Sequence, residues 1–265
     1  MKNRQIKDFL FQLISLILAI IVVHSVYSAV IRPQAAADLR ENQEMLAADS
    51  KAEERRSLSI ILKDYEQESC IILLLWALAI LFYKGSQTLN QRRLLSEDFL
   101  LLPEGGRIIP EDSRDLTRHL ESLPISQKES LVPNALLIAL RRFDSGRSIQ
   151  DVSEAAQSVC QQESDRLESE LSIIRYIAWA IPSIGFIGTV RGISQALGKA
   201  HLALEGDITG VTQNLGVAFN STFVALLISI LLMFIIHQIQ LMQERYVLDT
   251  ETYCEERLIR HLYTR

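Results

Sequence analysis

Two threonines carry what chemistry this sequence offers. Thr189 sits in the run Ile181–Ile193, IPSIGFIGTVRGI, and Thr222 in the run from Leu215, LGVAFNSTFVALLISILL. In the first run Gly185, Gly188 and Gly192 recur at helical spacing, and in the second Ala218, Ser221, Thr222, Ala225 and Ser229 do the same. A stripe of small and hydroxylated residues on an apolar helix either packs a neighbouring helix closely or lines a wet path for an ion. Each threonine therefore has two readings: its hydroxyl bonds its own i−4 carbonyl, or it faces a passing ion. Asn220 and Ser221 are candidate ion ligands on the same stripe, with interhelical hydrogen bonding as the other reading. No Asp or Glu occurs within the four apolar stretches of the chain. If protons or cations cross here, the titrating carboxylate is expected from another chain.

The elements that hold these residues are read from hydropathy. Phe9 to Ile31 and Val211 to Ile239 run uncharged for 23 and 29 residues, Ile177 to Val190 is also uncharged, and Cys70 to Tyr83 adds a fourth apolar block. A spanning helix needs ~20 residues. The fourth block covers only ~21 Å at 1.5 Å per residue, so it must extend past Ser69, lean on Lys84 reaching to the interface, or sit inside a bundle. Lys2, Arg4 and Lys7 ahead of the first block give it the look of a secretory signal, but it is longer than the ~7–15 residues of a signal core and is expected to be an uncleaved anchor. The fold class is all-α: an integral membrane protein of four transmembrane helices with long cytoplasmic helical extensions.

Flanking charge orients it. Lys2, Arg4 and Lys7 before the first span, with Lys84, Arg92 and Arg93 after the second, favour cytoplasmic N- and C-termini, although 32–68 itself holds six basic and nine acidic residues. The expected division is an anchor helix at 1–31, an extracytoplasmic helical segment at 32–68, a second span at 69–84, a cytoplasmic helical domain at 85–172, a channel-forming hairpin at 173–240 and a cytoplasmic helix at 241–265. Pro33 fits a first helical turn, Pro103, Gly105, Gly106 and Pro110 mark a loop, and Pro133 opens a helix that runs to Phe143 ahead of Ser145-Gly146. From Ser148 no Gly or Pro occurs before Pro182, which predicts a stalk entering the bilayer as the third span; the tail from Leu241 predicts a second, antiparallel stalk. Pro182 should free one carbonyl and bend its helix, a defect that neighbours or water must satisfy.

Several function classes are excluded. The net charge of −5 is spread with both signs mixed, and no basic block suggests nucleic acid. Cys70, Cys160 and Cys254 form neither a metal pair nor a disulfide framework, and His24 and His237 each lack a second ligand at metal spacing. No nucleophile-base pair or phosphate loop is present, so an enzyme is not expected, nor any cofactor or metal site. Arg191, in the third span, is expected to reach the headgroups with its charged end.

The glycine run resembles the MotA/TolQ/ExbB proton-channel family. The resemblance rests on Pro182, Gly185, Gly188, Thr189, Val190 and Gly192, followed by Ala218 to Thr222 ahead of an apolar helix, and covers about 165–265. Arg191 departs from it, standing where relatives of the transporter type often carry an aromatic or apolar residue. The resemblance implies a channel subunit of a bacterial inner-membrane motor driven by the proton motive force, assembled as a homo-oligomer of five around a single-span partner of the MotB, ExbD or TolR type that brings a membrane aspartate. It implies that Thr189 and Thr222, with Ser221 and Asn220 beside them, face the ion path, that Pro182, Gly185, Gly188, Gly192, Ala218, Ala225 and Ser229 pack helices, and that the ion is H⁺ with Na⁺ as the alternative. Four spans match the MotA arrangement better than the three-span one. The competing reading is a membrane scaffold that only holds such a partner.

Overall fold

The computed structural model describes residues 2–48, 57–100, 106–146, 148–204 and 206–263. Eleven α-helices follow one another among them: α1 Lys2–Val26, α2 Arg32–Ala48, α3 Leu58–Leu62, α4 Tyr65–Arg93, α5 Pro110–Ser122, α6 Ile125–Lys128, α7 Leu131–Asp144, α8 Ile149–Glu170, α9 Ser172–Gly198, α10 Ala200–Leu204 and α11 Thr209–Arg257. The described residues form no strand, only one isolated bridge between Ile108 and Leu262. The protein is all-α, and four helical runs are long and apolar enough to cross a membrane: Ile6–Asn42, Tyr65–Ser96, Ile149–Gly198 and Thr209–His261. Phe9, Ile14, Leu18, Phe219, Ile230 and Phe234 all point outward, as side chains do when their solvent is lipid.

The chain divides into two compact units, residues 1–82 with 173–236 and residues 83–172 with 237–265. In the first unit α1 does not end at the apolar block. It passes through a π-helical turn, Tyr27–Ile31, straight into α2, with the Arg32 N–H bonding Tyr27 O. Pro33 is therefore not a helix start, as its residue type suggested, but lies within a continuous helix. Proline withholds an N–H and crowds the carbonyl four residues back, and a wider turn just ahead of it absorbs both defects. The expected loop at 103–110 lies partly outside the described residues, which omit Pro103 and Gly105, as does the middle of segment 32–68. What is described of that segment is α2, the short α3 capped by Ser57, whose hydroxyl accepts from Ile60 N–H at 3.3 Å, and the first turn of α4.

The second apolar block gains its length at both ends. Helix α4 begins at Tyr65 and reaches Arg93, 29 residues, ample to span at 1.5 Å per residue. The indole of Trp76 donates to Gln12 O at 2.9 Å, tying α4 to α1.

In the second unit the core forms around α7, where Leu136, Leu140 and Phe143 pack with Val152 and Cys160 of α8 and Tyr246 of α11. Helix α7 starts two residues before Pro133, which sits in the first turn where its missing N–H is harmless, and ends at a turn where Gly146 adopts φ +73°. Ser148 then caps α8: its hydroxyl accepts from Asp151 N–H at 3.1 Å, and the Asp151 carboxylate accepts from Ser148 N–H at 3.1 Å. The long α8 is interrupted only at Leu171 before α9, and α11 runs 49 residues without a break, as the two expected stalks required. All three cysteines are free and buried.

Lys84 does not reach for an interface as the short apolar block suggested. It is 3% exposed and its ammonium lies 2.9 Å from Glu170. Breaking a buried ion pair leaves the partner charge uncompensated, at ~3–5 kcal/mol when both groups are fully buried. Glu170 retains some exposure and a second cation, Arg166, at 3.5 Å. Lys84→Ala is therefore expected to destabilise the protein by about 2 kcal/mol, lowering its thermal midpoint in mild detergent, while Lys84→Arg retains most of the stability; an unchanged midpoint for Lys84→Ala would remove the pair from the account.

Candidate functional site

The site lies in the first unit, where α9 and α11 meet along their small-residue stripes. A Cβ on Gly185 would fall 2.4 Å from the Ala225 Cβ, one on Gly188 2.5 Å from the Ser221 Cβ, and one on Gly192 2.7 Å from Ala218 N. No side chain fits at any of the three. The glycine face is filled by Ala218, Ser221 and Ala225 of the same chain. Ser221 is 1% exposed, sits in the gap left by Gly188, and donates to Val217 O at 2.8 Å.

Close approach brings backbone carbonyls within reach of side chains on the facing helix. Pro182 cannot supply an N–H to Ala178 O, and the Ser229 hydroxyl of α11 donates to that carbonyl at 3.1 Å. The carbonyl freed by the proline is thus satisfied by the neighbouring span. Ser229 is a packing residue with a defined partner.

Thr189 and Thr222 face each other across this seam. Their hydroxyls are in direct hydrogen-bonded contact. Thr189 Oγ1 also lies 3.3 Å from its own i−4 carbonyl, Gly185 O, and 3.1 Å from Ala218 O on the other helix; Thr222 Oγ1 lies 3.2 Å from Gly185 O. Two hydroxyls hold two protons, and each can donate to only one acceptor at a time. The pair therefore has more acceptors than protons. Its donor and acceptor roles can exchange by hydroxyl rotation, without moving either helix. Both side chains are half-buried, so the pair borders the protein surface. Asn220, one position from Ser221, is also half-buried, and its amide bonds to none of the described residues.

Charged groups at the Arg191 end of the seam form a network that the sequence concealed. The charged end of Arg191 is paired within the chain: its Nη2 lies 2.7 Å from Glu66 Oε2 and 3.5 Å from Asp64 Oδ1. Two residues along α4, Glu68 turns to the opposite side, where it bonds His24 Nδ1 at 2.7 Å and Arg32. Residues i and i+2 of a helix do not share a face, so one turn of α4 serves α9 with Glu66 and the first helix with Glu68. His24 is thus a hydrogen-bond partner of Glu68, while His237 is exposed. A signal for this network did exist. One reading of the short block from Cys70 was a helix extending past Ser69, which would take Glu66 and Glu68 with it, and an arginine in a span calls for an acid.

Fold and site together define a multi-pass membrane protein whose third and fourth spans pack backbone to backbone beside a polar, exchangeable hydroxyl pair. Residues 127–252 match the family model described as the MotA/TolQ/ExbB proton channel family. No curated protein and no solved structure matched the chain.

The packing role is open to a direct check. Gly185→Ala must drive α9 and α11 apart, and overpacking of this kind carries about 1–3 kcal/mol. The variant is expected to lose several degrees of thermal midpoint in detergent and to recover them on adding Ala225→Gly, whereas Gly216→Ala, where a Cβ would meet open space, stays at the wild-type value. A Gly185→Ala midpoint equal to wild type would contradict the close approach.

Proposed function

We propose that the protein is the channel subunit of a motor that couples the proton motive force to mechanical work, with the Thr189/Thr222 pair at its ion path. The observation that carries the reading is the half-buried hydroxyl pair, which borders the surface instead of being sealed in the seam. The match of residues 127–252 to a proton-channel family supports it. So does the lack of any acid within the apolar stretches: a path that moves protons needs a titrating group, and a partner helix laid against Thr189, Thr222 and Asn220 would bring one. In this reading the chain forms a ring of five about a single-span partner of the MotB, ExbD or TolR type, in a bacterial inner membrane, with both termini cytoplasmic. The segments 1–31, 32–68, 69–84, 85–172, 173–240 and 241–265 then serve as anchor, extracytoplasmic segment, second span, cytoplasmic domain, channel hairpin and cytoplasmic helix.

The mechanism follows from the cost of charge in lipid. A carboxylate carried on the partner's span is expensive there unless it is neutralised or hydrogen-bonded. When deprotonated it accepts hydrogen bonds from the two threonine hydroxyls, directly or through water; when protonated it donates to one of them. Because the pair can exchange donor and acceptor roles, it meets both states of the acid. Each ion moved delivers ~2.3 kcal/mol per 100 mV, so several must be coupled to one useful step. The ion is taken to be H⁺, in keeping with the proton-channel family matched, with Na⁺ as the alternative.

Replacing Thr by Val keeps the shape and removes the hydroxyl, a test of polarity. Thr222→Val, and Thr189→Val with it, are expected to leave expression and ring assembly intact while removing most ion-driven activity, and Ser at either position to retain part of it. Potential-driven proton flux in vesicles holding the chain and its partner reads this. Full flux in the double Val variant would overturn the assignment, and loss of assembly in a single Val variant would make that threonine a packing residue.

A further inference from the structure

The ion pair between Arg191 and Glu66 is not built for stability. Glu66, Asp64 and Arg191 side chains are 11%, 17% and 33% exposed, so bringing them together removed much of their hydration. Yet Glu66 Oε2 and Arg191 Nε are both buried without a hydrogen bond. The 2.7 Å approach is a misaligned one, not the two-pronged fork that makes arginine-carboxylate pairs strong. A desolvated pair with missing hydrogen bonds returns little stability. Ionisable groups on membrane helices are by default candidates for ion handling.

Its position ties it to the hydroxyl pair. The point where a Gly188 Cβ would stand is 3.2 Å from Glu66 Cγ and 2.6 Å from Ser221 Oγ. Glu66 therefore packs against the turn of α9 that carries Thr189, next to the stripe of α11 that carries Thr222. The groups around it are Arg191 on α9, Asp64 just ahead of α4, Glu68 on the far side of α4, and His24 and Arg32 beyond Glu68.

We infer that Glu66 is a proton-exchanging carboxylate that this chain itself contributes to the ion path, with Arg191 as its counter-cation and Asp64 as the place Arg191 moves to. The inference rests on the channel reading above, in which this end of the seam is extracytoplasmic. A hydronium ion in the outer water gives its proton to Glu66, forming the carboxylic O–H and leaving water. Neutral Glu66 no longer holds Arg191, and the guanidinium shifts its pairing to Asp64, which already lies 3.5 Å away. Glu66 then passes the proton to water on the Thr189/Thr222 face, returns to carboxylate and recaptures Arg191. Charge is conserved at each step, and the arginine is never left unpaired. The partner's acid remains the acceptor beyond the hydroxyl pair; Glu66 feeds it.

The test uses the purified complex of this chain with its single-span partner in proteoliposomes, reading potential-driven proton flux across a range of external pH. Glu66→Gln is expected to assemble with wild-type native mass and to lower flux at least about ten-fold, in the range of lost acid-base groups. Glu66→Asp is expected to conduct with a displaced pH profile. The double variant Glu66→Gln/Arg191→Gln is expected to stay slow. Wild-type flux in Glu66→Gln would overturn the inference. Wild-type flux in the double variant would also overturn it, by showing that Glu66 only offsets the arginine charge. Should Glu66→Gln fail to assemble, an unchanged pH profile in Glu66→Asp overturns it. A wild-type complex that carries no flux would overturn the channel reading itself, a result distinct from each of these.

Discussion

The structure of the spans depends on two backbones being allowed to touch. In lipid no hydrophobic force pulls helices together, and association rests on packing and on hydrogen bonds that find partners within the protein. Gly185, Gly188 and Gly192 remove every side chain from one face of α9, and Ala218, Ser221 and Ala225 fill the space from α11. The rest follows from this approach. Ser229 reaches the carbonyl that Pro182 leaves free, Thr222 reaches Gly185 O, and the two threonine hydroxyls meet. A larger residue on the glycine face would separate all three contacts at once.

The same seam explains how a polar pair can sit in an apolar medium without being locked. A hydroxyl bonded only to its own helix is silent, while one sealed in a dry seam has no exchange partner. Thr189 and Thr222 are neither, since they share carbonyls from both helices and border the surface. At the ends of the apolar stretches the chain handles charge by pairing. Lys84 meets Glu170, Glu68 meets His24 and Arg32, and Arg191 meets Glu66. In the Arg191 pair a buried atom on each partner, Glu66 Oε2 and Arg191 Nε, goes without a hydrogen bond.

Much of this was legible in the residues. Uncharged runs located the four membrane-crossing helices, and the glycine and small-residue periodicities located the seam, because both signals are local and repeat along a helix. The freed carbonyl of Pro182 was foreseeable, but its partner was not, since Ser229 lies 51 residues away. Which helix fills the glycine face was left open for a similar reason. Spacing says that a face is bare, not whether the helix that fills it belongs to the same chain. Pro33 misled because a proline marks a helix start only when no helix already runs through it, and the π-helical turn at Tyr27–Ile31 lets one do so. Glu66 and Glu68 lie outside the apolar block, and a longer helix that included them was only one of the ways its shortness could be met.

The account's central claim is that this chain supplies the lined path and another chain supplies the acid that completes it. The most direct measurement is potential-driven proton flux into vesicles containing the chain alone, set against vesicles containing the chain with its single-span partner at equal protein density. The account predicts flux only when both are present, because without the partner's acid no acceptor lies beyond the hydroxyl pair. Flux through the chain alone equal to that of the complex would contradict it.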